Sequence, residues 1–231
     1  MRFNYSDIMR LSASDRKGHL HPSSAGKCWN SQLFEAYGVY ADHSEELQQI
    51  FALGHKIHAQ VQAAWSNANI IHAVEQEVVW PEYHISGHAD GIGVINGSQF
   101  VLEIKSASKS SFLNYVPYQS HIEQVQLYMH ILGIKSALLL YINKEYVSYG
   151  IDLSLLPLKL YFDGQWFKII HVRYDVAKIM ERINIYNQIV DKFNNFCVFD
   201  HIKYDFSKQE CKSCGYAWHC IERLKETNNA Y

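Results

Sequence analysis

Hydrophobic and polar positions change their spacing several times along the chain, and each change marks an element. Over residues 42–67 Leu47, Ile50, Phe51, Ile57, Val61 and Trp65 fall near helical spacing, and Asp42 with Glu45 resembles a capping box. The pattern predicts a long amphipathic helix in which His58, four residues after Gly54 and three before Val61, shares their face. Period two then takes over: residues 73–79, 84–95 and 100–106 read as strands, with Asn96-Gly97 as a hairpin turn. Helical spacing returns at 121–133. Residues 137–143 and 146–153 are again strand-like, 158–172 reads as a hairpin turning at Asp163-Gly164, and 176–194 forms a last helix with Ile179, Ile183, Tyr186, Val190 and Phe193 on one face. Upstream, His21-Pro22-Ser23-Ser24 supplies a proline followed by capping residues, so a short helix is expected over 24–37, its start presenting Cys28.

With 231 residues, 48% of them hydrophobic, the chain can bury one substantial core and is short for two full domains. A single domain over 1–231 with small appendages is expected; there is no internal repeat and no low-complexity linker. A formal charge of −2 excludes a global basic field, so contact with nucleic acid has to come from a local patch. Arg2, Asp7 and Arg10 interrupt the first eleven residues, which hold no signal-peptide run, and no later stretch approaches a membrane span. A cytoplasmic location without membrane contact is therefore the expectation. In a reducing compartment the five cysteines read as metal ligands, catalytic groups or buried thiols, the last being the reading for Cys197 between Phe196 and Val198.

The candidate chemistry centres on the Asn96-Gly97 hairpin. Alternation along a strand puts Glu103 and Lys105 on one face. Asp90 lies on the preceding strand between Gly87 and Gly91, small residues that leave room for a ligand or another backbone, and the turn folds this strand back toward Glu103. Two converging carboxylates repel unless a cation sits between them, and oxygen ligands of this kind suit Mg2+ or Mn2+. Phosphodiester hydrolysis needs such a cation, and a nearby ammonium stabilises the negative charge that develops. Set against this, an isolated Glu-x-Lys is also an ordinary surface ion pair. On the following helix Gln124 and Tyr128 lie four residues apart with His121 a turn earlier, placed either to orient a phosphate or to pack Tyr128 among Val125, Ile131 and Leu132. His58 is either a packed core histidine or a further ligand of the cation. His55, His72, His88, His121, His130 and His219 have weaker claims.

A second cluster involves both ends of the chain. Cys211-x2-Cys214-x5-Cys220 puts three thiols on a loop too short to be a domain, and Cys28 is the available fourth donor. A group bound by all four would close the ends together, so that its binding energy is partly folding energy. Four thiolates suit a [4Fe-4S] cluster or zinc, and local spacing does not separate the two; His219 is placed to replace a thiolate in the zinc case. The long separation to Cys28 is unlike a compact zinc ribbon.

Taken in order, His21-Pro22-Ser23-Ser24 leading to Cys28, Gly54-x3-His58, Gly87-His88-Ala89-Asp90, Glu103-Ile104-Lys105, Gln124-x3-Tyr128 and the three late cysteines span nearly the whole chain. This set resembles the PD-(D/E)XK nuclease superfamily, in particular its RecB-like iron–sulfur branch, which holds the CRISPR-associated Cas-four exonucleases, the AddB nuclease domain and related phage exonucleases. The resemblance implies a restriction-endonuclease-like α/β core, a central mixed sheet flanked by helices, with an iron–sulfur lobe formed by residues 20–40 and 205–225. It implies His58, Asp90 and Glu103 as ligands of Mg2+ or Mn2+, Lys105 as the catalytic lysine, and Gln124 and Tyr128 as active-site supports. A [4Fe-4S] cluster on Cys28, Cys211, Cys214 and Cys220 follows from it too. The activity implied is metal-dependent hydrolysis of DNA, exonucleolytic on single strands from a free end, with protein partners in a DNA-processing complex serving recombination, repair or CRISPR adaptation. Two alternatives stand beside it: a non-catalytic subunit that binds DNA ends with the same fold, and a zinc-stabilised endonuclease. One departure is Asn30, where many relatives carry a basic residue two positions after the first cysteine. Candidates for phosphate contact are Lys105, Lys109, Lys27, Arg10, Arg16 and Lys17, and for base stacking Tyr115, Tyr118 and Trp166.

Overall fold

The computed structural model describes residues 18–39, 41, 44–145, 166–194, 211 and 214–221. The strand expected over 146–153, the Asp163-Gly164 turn, Cys197, Asp42, Arg10, Arg16 and Lys17 lie outside these residues. The described elements run, in chain order, α1 (Trp29–Ala36), α2 (Glu45–Asn67), β1 (Ile71–Trp80), β2 (Ile85–Ile95), β3 (Ser98–Ala107), α3 (Lys109–Asn114), α4 (Gln119–Leu132), β4 (Ser136–Asn143), β5 (Phe167–Arg173) and α5 (Val176–Asn194). The strands form one sheet in the order β1-β2-β3-β4-β5, antiparallel except for the parallel β3–β4 pair. A parallel neighbour requires a crossover, and α3 and α4 supply it.

Alternation along β3 sorts its side chains onto two cores. Phe100, Leu102 and Ile104 pack with Ile57, Val61 and Trp65 of α2, while Val101 packs with Val125, Tyr128 and Met129 of α4. A third cluster lies outside α4, where Leu33 and Tyr37 meet Leu127 together with Ile179, Tyr186 and Ile189 of α5. The expected apolar face of α5 is thus turned inward.

Two local expectations need correcting, and a third resolves between its alternatives. The first helix begins at Trp29 and not at Ser24, because Gly26 takes φ +77 and breaks the run after a 3-10 turn at Pro22–Ser24; Cys28 is the N-cap residue. The long helix is capped by Ser44, whose side chain accepts from the Leu47 amide, so its first turn starts at Glu45. Of the ligand or backbone that Gly87 and Gly91 are expected to admit, the chain itself takes the space: a Cβ on Gly87 would meet Pro22 Cδ at 2.9 Å, and one on Gly91 would meet Ile71 Cδ1 at 3.1 Å and the Ala73 backbone carbonyl at 3.2 Å. The His21–Ser24 segment is therefore docked on the strand that carries Asp90. At the other end of β2, Asn96 and Gly97 take φ +51 and +76 and make the tight turn that their sequence demands.

Candidate active site

The sheet forks at its centre. Pairing between β2 and β3 runs from the hairpin turn only as far as Gly91 opposite Leu102. Beyond that point residues 85–90 stay with β1, whereas residues 103–107 stay with β4. Asp90 and Glu103 are the first residues past the parting. Splaying two strands leaves backbone groups unpaired, and Asp90 repairs one of them, its Oδ2 accepting from the Ile104 amide at 2.6 Å. Its Oδ1 pairs with Nδ1 of His58 at 3.1 Å, delivered from the buried face of α2.

Glu103 is held from the opposite side. Its Oε1 receives Lys105 Nζ at 2.7 Å and Gln124 Nε2 at 2.9 Å. The Gln124 amide also donates to Tyr128 Oη at 3.1 Å, and that hydroxyl donates to the His88 carbonyl at 2.8 Å. Gln124 and Tyr128 therefore lace one prong of the fork to the other from a single turn of α4. Tyr128 packs in the core at 2% exposure, and its hydroxyl is engaged at the edge of the fork.

Charge follows from this packing. Burial and the charge of Asp90 push the Glu103 carboxyl up to about 7, although Lys105 pulls the other way. Burial works against a charged His58, but its bond to Asp90 and the charges of Asp90 and Glu103 outweigh that and raise it. His121 goes the other way, to about 3, through burial and the nearby Lys105 and Lys27. It therefore stays neutral, with Nδ1 2.8 Å from Tyr141 Oη.

Among the described residues, no three His, Cys, Asp or Glu side chains converge as a ready-made metal shell. The fork nevertheless fits a divalent cation by its donor chemistry. Glu103 Oε2 is buried and has no hydrogen-bond partner among the described groups, next to a second carboxylate whose charge it feels. His58, Asp90 and Glu103 are the groups able to hold such an ion. Two residues that the sequence reading passed over also belong to this site. Gln62 Nε2 donates to the Asp90 carbonyl at 3.0 Å and to Glu75 Oε1 at 2.6 Å. The available signal was the four-residue spacing from His58, which puts Gln62 on the same helix face.

The cysteines gather beside α1. Phe34 of that helix stacks on Tyr216 with centroids 5.3 Å apart and lies 5.1 Å from the His219 ring, which brings residues 214–221 against the helix capped by Cys28. Burial pushes the Cys220 thiol up to about 12, and the charges of Cys28, Cys214 and Cys211 add to it. Burial likewise raises Cys214, opposed by the Tyr216 amide, which donates to its sulfur at 3.4 Å. Cys214 and Cys220 thus feel the charges of their fellow cysteines, though the four side chains do not converge as a ready-made metal shell. A positively charged centre that turns crowded thiols into thiolates fits this set. His219 is engaged with Phe34 and with Trp218, at 3.8 Å between centroids.

Of the remaining candidates, Lys27 acts electrostatically on both His121 and Cys214 and so lies between the two centres. Lys109 pairs with Glu145 at 3.4 Å, Trp166 packs against the core under α2, and Tyr115 and Tyr118 are exposed. The open cleft of about 670 Å³ in the sheet face near the Asn96-Gly97 turn holds none of the predicted site residues; in its lining Ser136 Oγ meets His171 at 2.8 Å and Lys135 lies over the Tyr174 ring at 3.9 Å.

The chain matches no protein-family model and no curated protein by sequence. Solved structures do share its architecture. It superposes on SSO0001 with a TM-score of 0.54 at 15% identity, covering 93% of this chain and 90% of that one. The alkaline exonuclease LHK-Exo from Laribacter hongkongensis gives a TM-score of 0.55 at 13% identity over 78% of this chain and 90% of that one. The same enzyme in complex with dAMP gives 0.56 at 14% over 81% and 91%. The likeness is one of fold: a five-stranded mixed sheet flanked by helices, the architecture of an alkaline exonuclease. No described helix is long and apolar enough to cross a membrane.

Proposed function

We propose that the chain is a Mg2+- or Mn2+-dependent deoxyribonuclease, hydrolysing single-stranded DNA from an end. The observation that carries this reading is the fork, where the parting of β2 and β3 places Asp90 and Glu103 side by side with Lys105 at 2.7 Å and an unpartnered Glu103 oxygen. The fold shared with an alkaline exonuclease supports it, and the dAMP complex of that enzyme is in keeping with a DNA substrate. Bound at His58, Asp90 and Glu103, the cation supplies charge neutralisation on the phosphate and a water of lowered pKa.

The chain's own residues do the rest. His58 and the Ile104 amide fix the two oxygens of Asp90, so its carboxylate is aimed before any ligand arrives. Gln124 fixes Glu103, and Tyr128 ties it to the opposite prong. Lys105 is the residue to meet the negative charge that grows on phosphate oxygens as water attacks phosphorus and the bond to the leaving sugar oxygen breaks. Neutral His121 adds no competing charge beside it.

For the second centre we propose a [4Fe-4S] cluster on Cys28, Cys211, Cys214 and Cys220, a reading supported by the four-thiol donor set and by the docking of Tyr216 on Phe34. Intact Asp90, Glu103 and Lys105 speak against a subunit that only binds DNA ends, and partners in a DNA-processing complex remain part of the proposal.

The test is cleavage of end-labelled linear and circular single-stranded DNA with Mg2+ or Mn2+, using anaerobically purified protein and Asp90→Ala. Shortening of the linear strand alone, lost in the variant, is the expected result. Cutting of the circle would make the enzyme an endonuclease, and full activity in Asp90→Ala would overturn the site.

A further inference from the structure

Glu75 takes φ +47 in the middle of β1, a left-handed conformation that a non-glycine residue rarely adopts inside a strand. The ladder between β1 and β2 pairs Val74 with Gly91 and Gln76 with Ala89, so Glu75 is the residue that stands across from Asp90. At the strand position beside Asp90 the backbone is therefore strained, and such strain persists only where the surroundings impose it. Gln62 bridges this position to Asp90: its single side-chain nitrogen donates to both Glu75 Oε1 at 2.6 Å and the Asp90 carbonyl at 3.0 Å.

We infer that Gln62 and Glu75 are positioning residues that set the Asp90 carboxylate for cation binding. Four residues apart on α2, His58 and Gln62 reach the same aspartate at different atoms: His58 takes Oδ1, Gln62 takes the backbone carbonyl, and the Ile104 amide takes Oδ2. Asp90 is thereby fixed at the side chain and at the main chain. Glu75 accepts from the Gln62 amide, which holds that amide in the orientation that also serves the carbonyl. A bond this far from the ligand oxygens acts through Asp90, in the way that partners behind metal ligands tune affinity.

This inference rests on the cation-dependent reading of the site, and the experiment separates the two. Mn2+ is titrated calorimetrically into the metal-free full chain, with the thermal midpoint measured in parallel. Gln62→Ala is expected to weaken Mn2+ by about tenfold. The exchange Gln62→Glu with Glu75→Gln is the deciding variant: it restores a carboxylate–amide bond between α2 and β1, with the new amide on β1, but leaves the Asp90 carbonyl without its donor. The midpoint of the exchanged chain should return to that of the unaltered protein while Mn2+ binding stays about tenfold weak. Recovery of Mn2+ affinity along with the midpoint would show that the pair merely ties a helix to a strand, and unchanged affinity in Gln62→Ala would overturn the inference as well. An unaltered chain that binds no Mn2+ would overturn the cation-dependent reading itself, and this inference with it.

Discussion

The fork and the cysteine lobe pose the same physical problem, several acidic groups crowded together, and the chain meets it in opposite ways. At the fork, protein donors already surround the carboxylates: His58 and the Ile104 amide on Asp90, Lys105 and Gln124 on Glu103. At the lobe the Tyr216 amide reaches one sulfur, Lys27 adds a more distant charge, and two of the thiols are driven toward their protonated forms. A site whose charges are met by the chain persists without its ligand. On the proposed cluster reading, the thiols of the lobe become thiolates only with a bound centre, whose binding energy would then be partly folding energy.

The largest effect that sharpens this contrast is chemical. Glu103→Gln keeps the shape of the side chain and removes its charge, so DNA cleavage should fall by about a thousandfold, on the scale of losing a transition-state group. The thermal midpoint above pH 7 should hold or rise, because a buried carboxylate has gone; a collapse of the fold would show that the fork depends on that charge. Cys214→Ser is the converse. On the proposed [4Fe-4S] reading, anaerobic protein is expected to be brown, and the variant should be colourless with a midpoint lower by on the order of 10 °C, read by absorbance and scanning calorimetry. A colourless variant of unchanged midpoint would erase the difference between the two regions.

A smaller effect lies in pH. Folded Glu103 keeps its proton up to about 7 against an ordinary value of 4.5, and folded His58 is raised as well. Both groups bind protons more tightly in the folded chain, so they stabilise it at low pH, and that stability is lost as pH climbs. For Glu103 the loss falls between about 4.5 and 7; for His58 it continues until pH has passed its raised value. The midpoint of the metal-free chain should therefore drop from pH 5 to pH 8, and Glu103→Gln should flatten the slope. The least effect belongs to Tyr128→Phe. It removes the bond to the His88 carbonyl at a cost of about 1 kcal/mol, a shift of a few degrees.

Much of this was legible in the sequence because it is local. Period-two spacing put Glu103 and Lys105 on one face, Asn96-Gly97 set the hairpin, and helical spacing aligned Gln124 with Tyr128. What escaped depends on contacts between elements. No local pattern states where two paired strands separate, so the fork itself was invisible, and with it the role of the Ile104 amide. Gln62 and Glu75 escaped because an exposed glutamate on an alternating strand gives no hint that its backbone turns left-handed. The Ser24 start for the first helix failed on Gly26, whose permissive backbone let packing override capping preference.

That glycine has one more consequence. A Cβ on Gly26 would lie 3.2 Å from Ser120 Cα and 3.0 Å from Glu123 Oε2, so the strand of chain entering Cys28 rests directly on the first turn of α4, one turn ahead of Gln124. The two centres are thus arranged in series along a single rigid rod, and their losses should not be independent. Combining a change at Gly26 with Tyr128→Phe should cost measurably more or less than the sum of the two, an interaction energy between a thiol lobe and a carboxylate site that share the first turns of one helix.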